Sequence, residues 1–375
     1  MFIKSFASVS QTSEIFNKNY GMKKSKKFLP TGKLPHDFLI SMLEKYTMKP
    51  DDVIVGSKIG EDAAVIDIGE KYLLAKTDPI TFVTDEIGYY TININANDIA
   101  CKGGIPRWFL ATVLLPENKT TKKMVDSLFS QLHQSCQSLN IALCGGHTEI
   151  TYGLDRPIVI GQMLGEVEKN KLVDISKVTA GDDILLTKGI AIEATSIIAR
   201  EKGAELTEMF SSELVEQSKN YLYDPGISVL REAIIANEFK EIHGMHDPTE
   251  GGIAVGLFEI AKAANVGLKI EYDMIDILPE CKLLCDVYEL DPLGIIASGA
   301  LLIVCDASVS QQMMESFEKN DINICRIGKI MPENYGMKII LPDGETTDLP
   351  YFPEDEITKF FNNNQKVENT SKKGE

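Results

Sequence analysis

No stretch of 18 consecutive apolar residues occurs in the chain, and a helix that spans a bilayer needs about 20 of them. The opening residues, MFIKSFASVSQTSEIF, hold too few apolar side chains in a row for a secretory leader. Neither feature points to a membrane. Positive charge is scarce: 38 Lys and Arg stand against 55 Asp and Glu, a formal net charge of -17. A protein that grips a nucleic-acid backbone needs a basic face, so nucleic acid is not the expected partner. The seven cysteines are scattered (101, 136, 144, 281, 285, 305 and 325), and this odd, sparse set points to free thiols and a cytoplasmic location. Nothing at metal-site spacing complements Cys281 and Cys285, and His243 with His246 has no further soft ligand beside it, so zinc is not expected. Also missing are the Gly-x-x-x-x-Gly-Lys-Ser/Thr loop, the Gly-x-Gly-x-x-Gly turn and the Gly-x-Ser-x-Gly elbow. A P-loop, a dinucleotide fold and a serine triad lose their support with them.

What is present is an ordinary globular composition, 44% hydrophobic and 25% charged over 375 residues. At roughly 150 residues per domain that length makes two. The apolar spacing predicts helices over 34–46, 87–99, 120–139 and 249–265, and strands over 72–75, 108–115 and 141–143. Strand-like and helical segments mix in both halves, an α+β or mixed α/β class with one sheet per half, each covered on one face by helices. The expected divisions are an N-terminal extension (1–32), an N-terminal domain (33–167), a C-terminal domain (168–335) and a C-terminal extension (336–375) ending in a polar tail.

Four clusters carry the chemistry. Gly60-Glu61-Asp62 precedes a strand. Asp78 ends the apolar run 72–75 in a Thr-Asp-Pro turn, with Asn97-Asp98 further on. Gly145-Gly146-His147-Thr148-Glu149 follows a strand, and His246-Asp247-Pro248-Thr249-Glu250-Gly251-Gly252 precedes a helix. Carboxylates placed in glycine-containing loops suit magnesium, whose sites combine a few acids with water and polyphosphate oxygens. Glycine turns beside helix starts offer bare N–H groups to phosphate. Each cluster also has a plain structural explanation: Asp-Pro makes turns, Asp62 and Asp247 can cap helices, and His147 can fill a turn.

The order Gly-Glu-Asp-Ala-Ala-Val-Ile (60–66), Lys-Thr-Asp-Pro (76–79), Asn-Asp-Ile-Ala (97–100), Gly-Gly-His-Thr-Glu (145–149) and Asp-Pro-Thr-x-Gly-Gly (247–252) resembles the aminoimidazole ribonucleotide synthetase (PurM-like) superfamily. Arg107-Trp-Phe and Asp155-Arg156-Pro157 bring it nearest to the branch of the hydrogenase maturation protein HypE. The resemblance implies a homodimer whose N-terminal domains join their sheets in a β-barrel, a C-terminal α/β domain, and ATP with Mg2+ in a cleft. Carried over position by position, Asp62, Asp78, Asp98 and Asp247 become metal ligands. Lys33, Asn97, Gly145, Gly146, His147 and Thr148 become nucleotide contacts, and Asp78, Asp98 and His147 the catalytic set.

The activity implied is ATP-dependent phosphorylation or activation of a small molecule or a protein-bound carboxamide, with a maturation partner protein in the HypE case. Two departures stand out. The chain ends Asn-Thr-Ser-Lys-Lys-Gly-Glu, without the cysteine tail that HypE modifies, so that reaction on its own tail is not expected. Glu250 stands where the family carries arginine. The alternatives are a small-molecule kinase resembling thiamine-monophosphate kinase and a non-catalytic nucleotide-binding scaffold. Retention of every carboxylate argues against the scaffold, since buried unpaired acids cost stability.

Overall fold

The computed structural model describes residue 29, residues 33–81 and residues 83–362. Most of the N-terminal extension and the polar tail from residue 363 lie outside the described residues. A first helix, α1 (His36–Tyr46), leads into a six-stranded sheet of order β1-β2-β3-β6-β4-β5. Its members are β1 (Val53–Val55), β2 (Ala64–Asp67), β3 (Lys71–Ile80), β4 (Ile105–Pro116), β5 (Ala142–Thr151) and β6 (Ile158–Glu168), with α2 (Ile87–Cys101) and α3 (Lys122–Ser138) between them. Neighbouring strands are antiparallel except β4 and β5, which α3 joins as a parallel crossover.

Three features of this sheet position the site. β3 does not stop before Asp78; it pairs with β6 as far as Ile80, opposite Val159. β2 begins only at Ala64, opposite Ala75, so beyond that point one edge of β3 is unpaired among the described residues, the setting in which a strand tolerates Pro79. Second, α2 is buried along nearly its whole length. Its amides survive there because each is bonded: Asn93 donates to the Tyr89 carbonyl at 2.9 Å, and Asn95 donates to Thr91 at 2.9 Å. Third, Gly145 and Gly146 lie inside β5, at φ of 150° and 146°, rather than in a turn before a helix. A side chain on Gly146 would run into the backbone of Ala111 on β4.

One face of this sheet is covered. Along β6 the buried Val159, Gly161, Met163, Gly165 and Val167 alternate with half-buried or exposed residues. The other face and the β5 edge leave Trp108, Leu143 and Ile150 partly exposed. The expected closure into a β-barrel is therefore corrected: the sheet is open, with β1 and β5 as edges unpaired among the described residues. A three-residue β1 is too short to satisfy the ten-residue β5 edge.

The second sheet has the order β13-β12-β9-β11-β7-β10-β8. It comprises β7 (Asp183–Thr187), β8 (Ile242–His246), β9 (Gly267–Glu271), β10 (Leu302–Cys305), β11 (Ile324–Met331), β12 (Met337–Ile340) and β13 (Thr346–Asp348). The helices of this half are α4 (Ile192–Glu201), α5 (Gly203–Met209), α6 (Ser212–Asn220), α7 (Leu230–Ala236), α8 (Gly252–Ala264), α9 (Pro279–Tyr288) and α10 (Ser310–Glu318). Covering on one face was expected here too. Instead β7 and β10 are buried throughout, with α8 in the cluster on one side and α7 and α10 on the other. The halves share a core as well, because Ile92 and Ile94 of α2 belong to the same cluster as Ile192 and Ile197 of α4. No helix among the described residues is long and apolar enough to cross a membrane.

Candidate functional site

Between the two sheets, four elements bring carboxylates together. Asp62 comes from the loop before β2, Asp78 from β3, Asp98 from α2 and Asp247 from the end of β8. Lys76 shares a face of β3 with Asp78, two residues on, and its ammonium lies 3.0 Å from Asp98 Oδ1 and 3.3 Å from Asp78 Oδ2. Asn95 Oδ1 accepts the Asp78 backbone N–H at 3.0 Å, which ties α2 to β3 beside the acids. Asp247 Oδ1 accepts from the Cys101 thiol at 3.5 Å. Among the described residues neither Asp98 Oδ2 nor Asp247 Oδ2 has a hydrogen-bond partner, although both are buried.

His246 sits one residue before Asp247. Its Nδ1 is 2.7 Å from Asp62 Oδ1 and its Nε2 is 2.9 Å from Glu259 Oε2 on α8. Both ring nitrogens therefore face carboxylate acceptors, which suits an imidazolium. Burial opposes that charge, but Asp62 and Glu259 outweigh it and hold the His246 pKa well above the ordinary value. The network continues outward: Glu259 Oε1 is 3.4 Å from His36 Nε2, and His36 Nδ1 is 2.8 Å from the Tyr351 hydroxyl. Asp62, His246 and Asp247 place potential ligand atoms within 4.8 Å of one another. With both His246 nitrogens taken, however, the ligands for a cation are the carboxylates. Two unpartnered buried oxygens among hard acids fit magnesium better than a softer metal.

The electrostatics follow from crowding. Burial lifts the Asp247 carboxyl to about 7, with the charge of Asp62 adding to it and His246 and Lys76 opposing. Burial likewise raises Asp98 well above the carboxylate range and raises Asp78. For Lys76, burial is overcome by Asp98, Asp78 and Asp62, which keep the ammonium charged. A cluster that strains to stay ionised gains most from a bound cation.

Other expected residues fall elsewhere. Lys33 borders the cluster, half-exposed, with its ammonium 3.5 Å from Thr249 Oγ1, 3.5 Å from Glu259 and 3.7 Å from Glu250. Asn97 is a tether: its amide donates to the Ile227 carbonyl and accepts the Val229 N–H, both at 2.9 Å. Gly145, Gly146, His147 and Thr148 lie on β5. The register runs from Asp78 through Gly161 and Ala111 to Gly146, three strand spacings or roughly 14 Å. His147, next to Gly146, points to the opposite face, where its side chain is 67% exposed and 3.2 Å from Glu149. Within one chain the glycine-rich strand does not meet the acids. Nor does Asp247 cap a helix, since α8 starts from Gly251 at φ 83° without a side-chain cap.

Residues 60–167 match the family model "AIR synthase related protein, N-terminal domain", and residues 179–339 match "AIR synthase related protein, C-terminal domain". The chain belongs to the AIR synthase related family. Its relatives include HypE proteins; carbamoyl dehydratase HypE of Cupriavidus necator is 25% identical over 268 residues, 68% of this chain and 70% of that one. In fold it is similar to the crystal structure of the HypE-HypF complex, with TM-score 0.68 and 17% identity over 84% of this chain and 99% of that chain. It is also similar to AaThiL complexed with AMPPCP and TMP, with TM-score 0.66 and 18% identity over 88% and 99% of the two chains.

His246 was considered only as a metal partner of His243 and Lys76 only as part of a motif, neither with the role seen here, and Cys101 and Glu259 were given none. The alternation of β3 was the available signal for Lys76, and the position beside Asp247 the signal for His246. Glu259 had none, because its partner is 13 residues away across a helix start.

Proposed function

We propose that this member of the family is an ATP- and magnesium-dependent enzyme that phosphorylates or activates a small molecule or a protein-bound carboxamide. The observation that carries this reading is the pair of buried, unpartnered oxygens, Asp98 Oδ2 and Asp247 Oδ2, in one interdomain cluster. Asp62, Asp78, Asp98 and Asp247 would hold magnesium, which supplies charge neutralisation and alignment for the phosphates. Lys76 opposes the rise that burial imposes on Asp78 and Asp98 and holds both carboxyls in place. Lys33, with only long contacts, is the cation able to turn toward a terminal phosphate, the part given to arginine elsewhere in the family; Glu250 here steers that lysine instead. The nucleotide bound by AaThiL and the HypE partner HypF support a nucleotide and a maturation partner for this chain in the same way.

A homodimer is part of the proposal. Support comes from the unpaired β5 edge and the exposed Trp108, Leu143 and Ile150 near it, which a second copy would cover. The seven free thiols suit a reducing cytoplasm. The decisive experiment is ADP release from ATP with and without magnesium, repeated with Asp62→Asn and Asp247→Asn. Turnover that ignores magnesium and both substitutions would sink the reading.

A further inference from the structure

The buried acids Asp62, Asp98 and Asp247 are each gripped through one oxygen. Asp98 Oδ1 accepts from Lys76 at 3.0 Å, Asp247 Oδ1 from the Cys101 thiol at 3.5 Å, and Asp62 Oδ1 from His246 Nδ1 at 2.7 Å. Of these gripping groups, His246 alone among the described residues reaches an acid outside the cluster, for its Nε2 donates to Glu259 Oε2 at 2.9 Å. The ring thus joins a carboxylate of the N-terminal half to a helix of the C-terminal half.

The backbone is shaped for this contact. His246 ends β8, opposite Leu302 of β10, and its imidazole lies on α8 where position 256 is glycine. A Cβ on Gly256 would stand 3.3 Å from the ring Cδ2 and 2.8 Å from Pro248 Cβ. Glu259 follows one helical turn later on the same face of α8, which brings it to Nε2. Its other oxygen is fixed as well, 3.4 Å from His36 Nε2 and 3.5 Å from Lys33 Nζ. The loop that carries Asp62 is pressed onto the same helix: at Gly60, φ 76°, a Cβ would come within 2.8 Å of both the Glu259 carbonyl and the Ala263 side chain.

Asp62, His246 and Glu259 are each 7% exposed. A row of buried charged groups adds little stability over apolar side chains of the same volume. What it supplies is direction, because a donor held at both ends fixes the rotamer of the carboxylate it meets. We infer that His246 is a positioning residue: it holds Asp62 by Oδ1 and leaves Oδ2 for the cation, while Glu259 holds the ring. The inference rests on the magnesium role proposed for Asp62 and names what keeps that ligand in place. With both ring nitrogens committed, the imidazole acts on a cation only through Asp62.

The test separates the two ring nitrogens. Asparagine places an amide where Nδ1 stands and glutamine where Nε2 stands, so His246→Asn keeps the donor to Asp62 and His246→Gln keeps the donor to Glu259. The full chain is followed by urea unfolding, by the Asp62 rotamer in metal-free crystals, and by Mn2+ affinity from electron paramagnetic resonance with AMPPCP present. Each variant loses one hydrogen bond to a buried carboxylate, so both should unfold at similar urea concentrations. His246→Asn should keep the Asp62 rotamer and bind Mn2+ within about threefold of the wild type, whereas His246→Gln should release Asp62 and weaken Mn2+ by about 10- to 100-fold. Equal Mn2+ affinities in the two variants, or an unmoved Asp62 in His246→Gln, overturn the assignment, since a merely structural role follows stability alone. In the wild type labelled with 15N-histidine, the His246 Nδ1–H resonance should persist at saturating magnesium and AMPPCP. Its loss overturns the assignment even where neither variant folds. A wild type that binds neither Mn2+ nor magnesium-AMPPCP sinks the magnesium reading, and the Asp62 rotamers of the two variants still decide the positioning role.

Discussion

Two stretches of the N-terminal half are equally rich in polar residues and opposite in their physics. Helix α2 carries Asn93, Asn95, Asn97 and Asp98, all buried, with every amide bonded and, of these four side chains, Asp98 Oδ2 left over among the described residues. Strand β5 carries Gly145 through Glu149 on an exposed edge, where each polar group can reach water. Burial is what turns a polar motif into a site. In α2 it removes water as a competitor and leaves Asp98 Oδ2 facing the acid cluster without a partner among the described residues. In β5 water competes everywhere, and a second copy of the chain would have to exclude it before the same residues could act.

That contrast is most directly broken by neutralising one acid on each side. Asp247→Asn is expected to lower magnesium-dependent ATP turnover about 10³-fold, roughly 4 kcal/mol of transition-state stabilisation. Glu149→Gln on β5 should change it less than about threefold. Equal losses in a steady-state assay would show that burial does not separate the two stretches.

Next in size is the cation that permits the cluster. Lys76→Met leaves Asp98 and Asp78 crowded without their ammonium and should destabilise the fold by about 3–5 kcal/mol in urea unfolding. Adding Asp98→Asn to that variant should restore much of the loss, because the uncompensated charge goes with it. A double variant no more stable than Lys76→Met would mean that the lysine acts by packing.

Asp355 lies beyond the residues matched by the family models, yet it accepts the Gly251 N–H at 2.6 Å, the Ile296 N–H at 3.2 Å and the Ile357 N–H at 2.8 Å. It thus clamps the loop after Asp247 to the segment at Ile296. Burial lifts its carboxyl from 3.8 to about 6, against the pull of those three N–H groups. The folded state therefore holds the proton more tightly than the unfolded chain. Its contribution is full below about pH 4, falls by up to roughly 3 kcal/mol as the pH climbs to about 6, and is flat above. Asp355→Asn should remove that slope from the difference between variant and wild type across pH 4–7 in chemical denaturation. It should also lower stability at pH 5 by about 2 kcal/mol, as the Gly251 N–H then meets another donor. A slope unchanged in the variant would assign it to other acids.

Much of this was readable in advance, and the failures have specific causes. The four aspartates were identifiable because each stands in a short motif, and α3 because its apolar face repeats cleanly. Asp78-Pro79 read as a turn because proline normally ends a strand; the late start of β2 at Ala64, which frees that edge, is a fact of pairing. Asn97 read as a ligand contact because a sequence shows an amide but not the Ile227 and Val229 backbone that occupies it. The barrel came from resemblance alone, and strand lengths at the two edges decided against it. His36, Tyr351 and Asp355 stood outside every motif, and only the fold brings them to the site.

The smallest expected effect is also the sharpest on the comparison. His147→Ala removes an imidazole that faces solvent beside Glu149, on the face of the sheet opposite to Asp78. If the site is complete within one chain, kcat/KM should fall less than about threefold and the melting temperature should move by less than about 1 °C, as for an ordinary surface change. If a second copy brings β5 into play, the loss should grow with protein concentration, tracking dimer formation in sedimentation runs on the same samples. A large loss in a monomeric sample would place the imidazole at the chemistry of its own chain, roughly 14 Å and one sheet face away from the acids, and would require the strand to move.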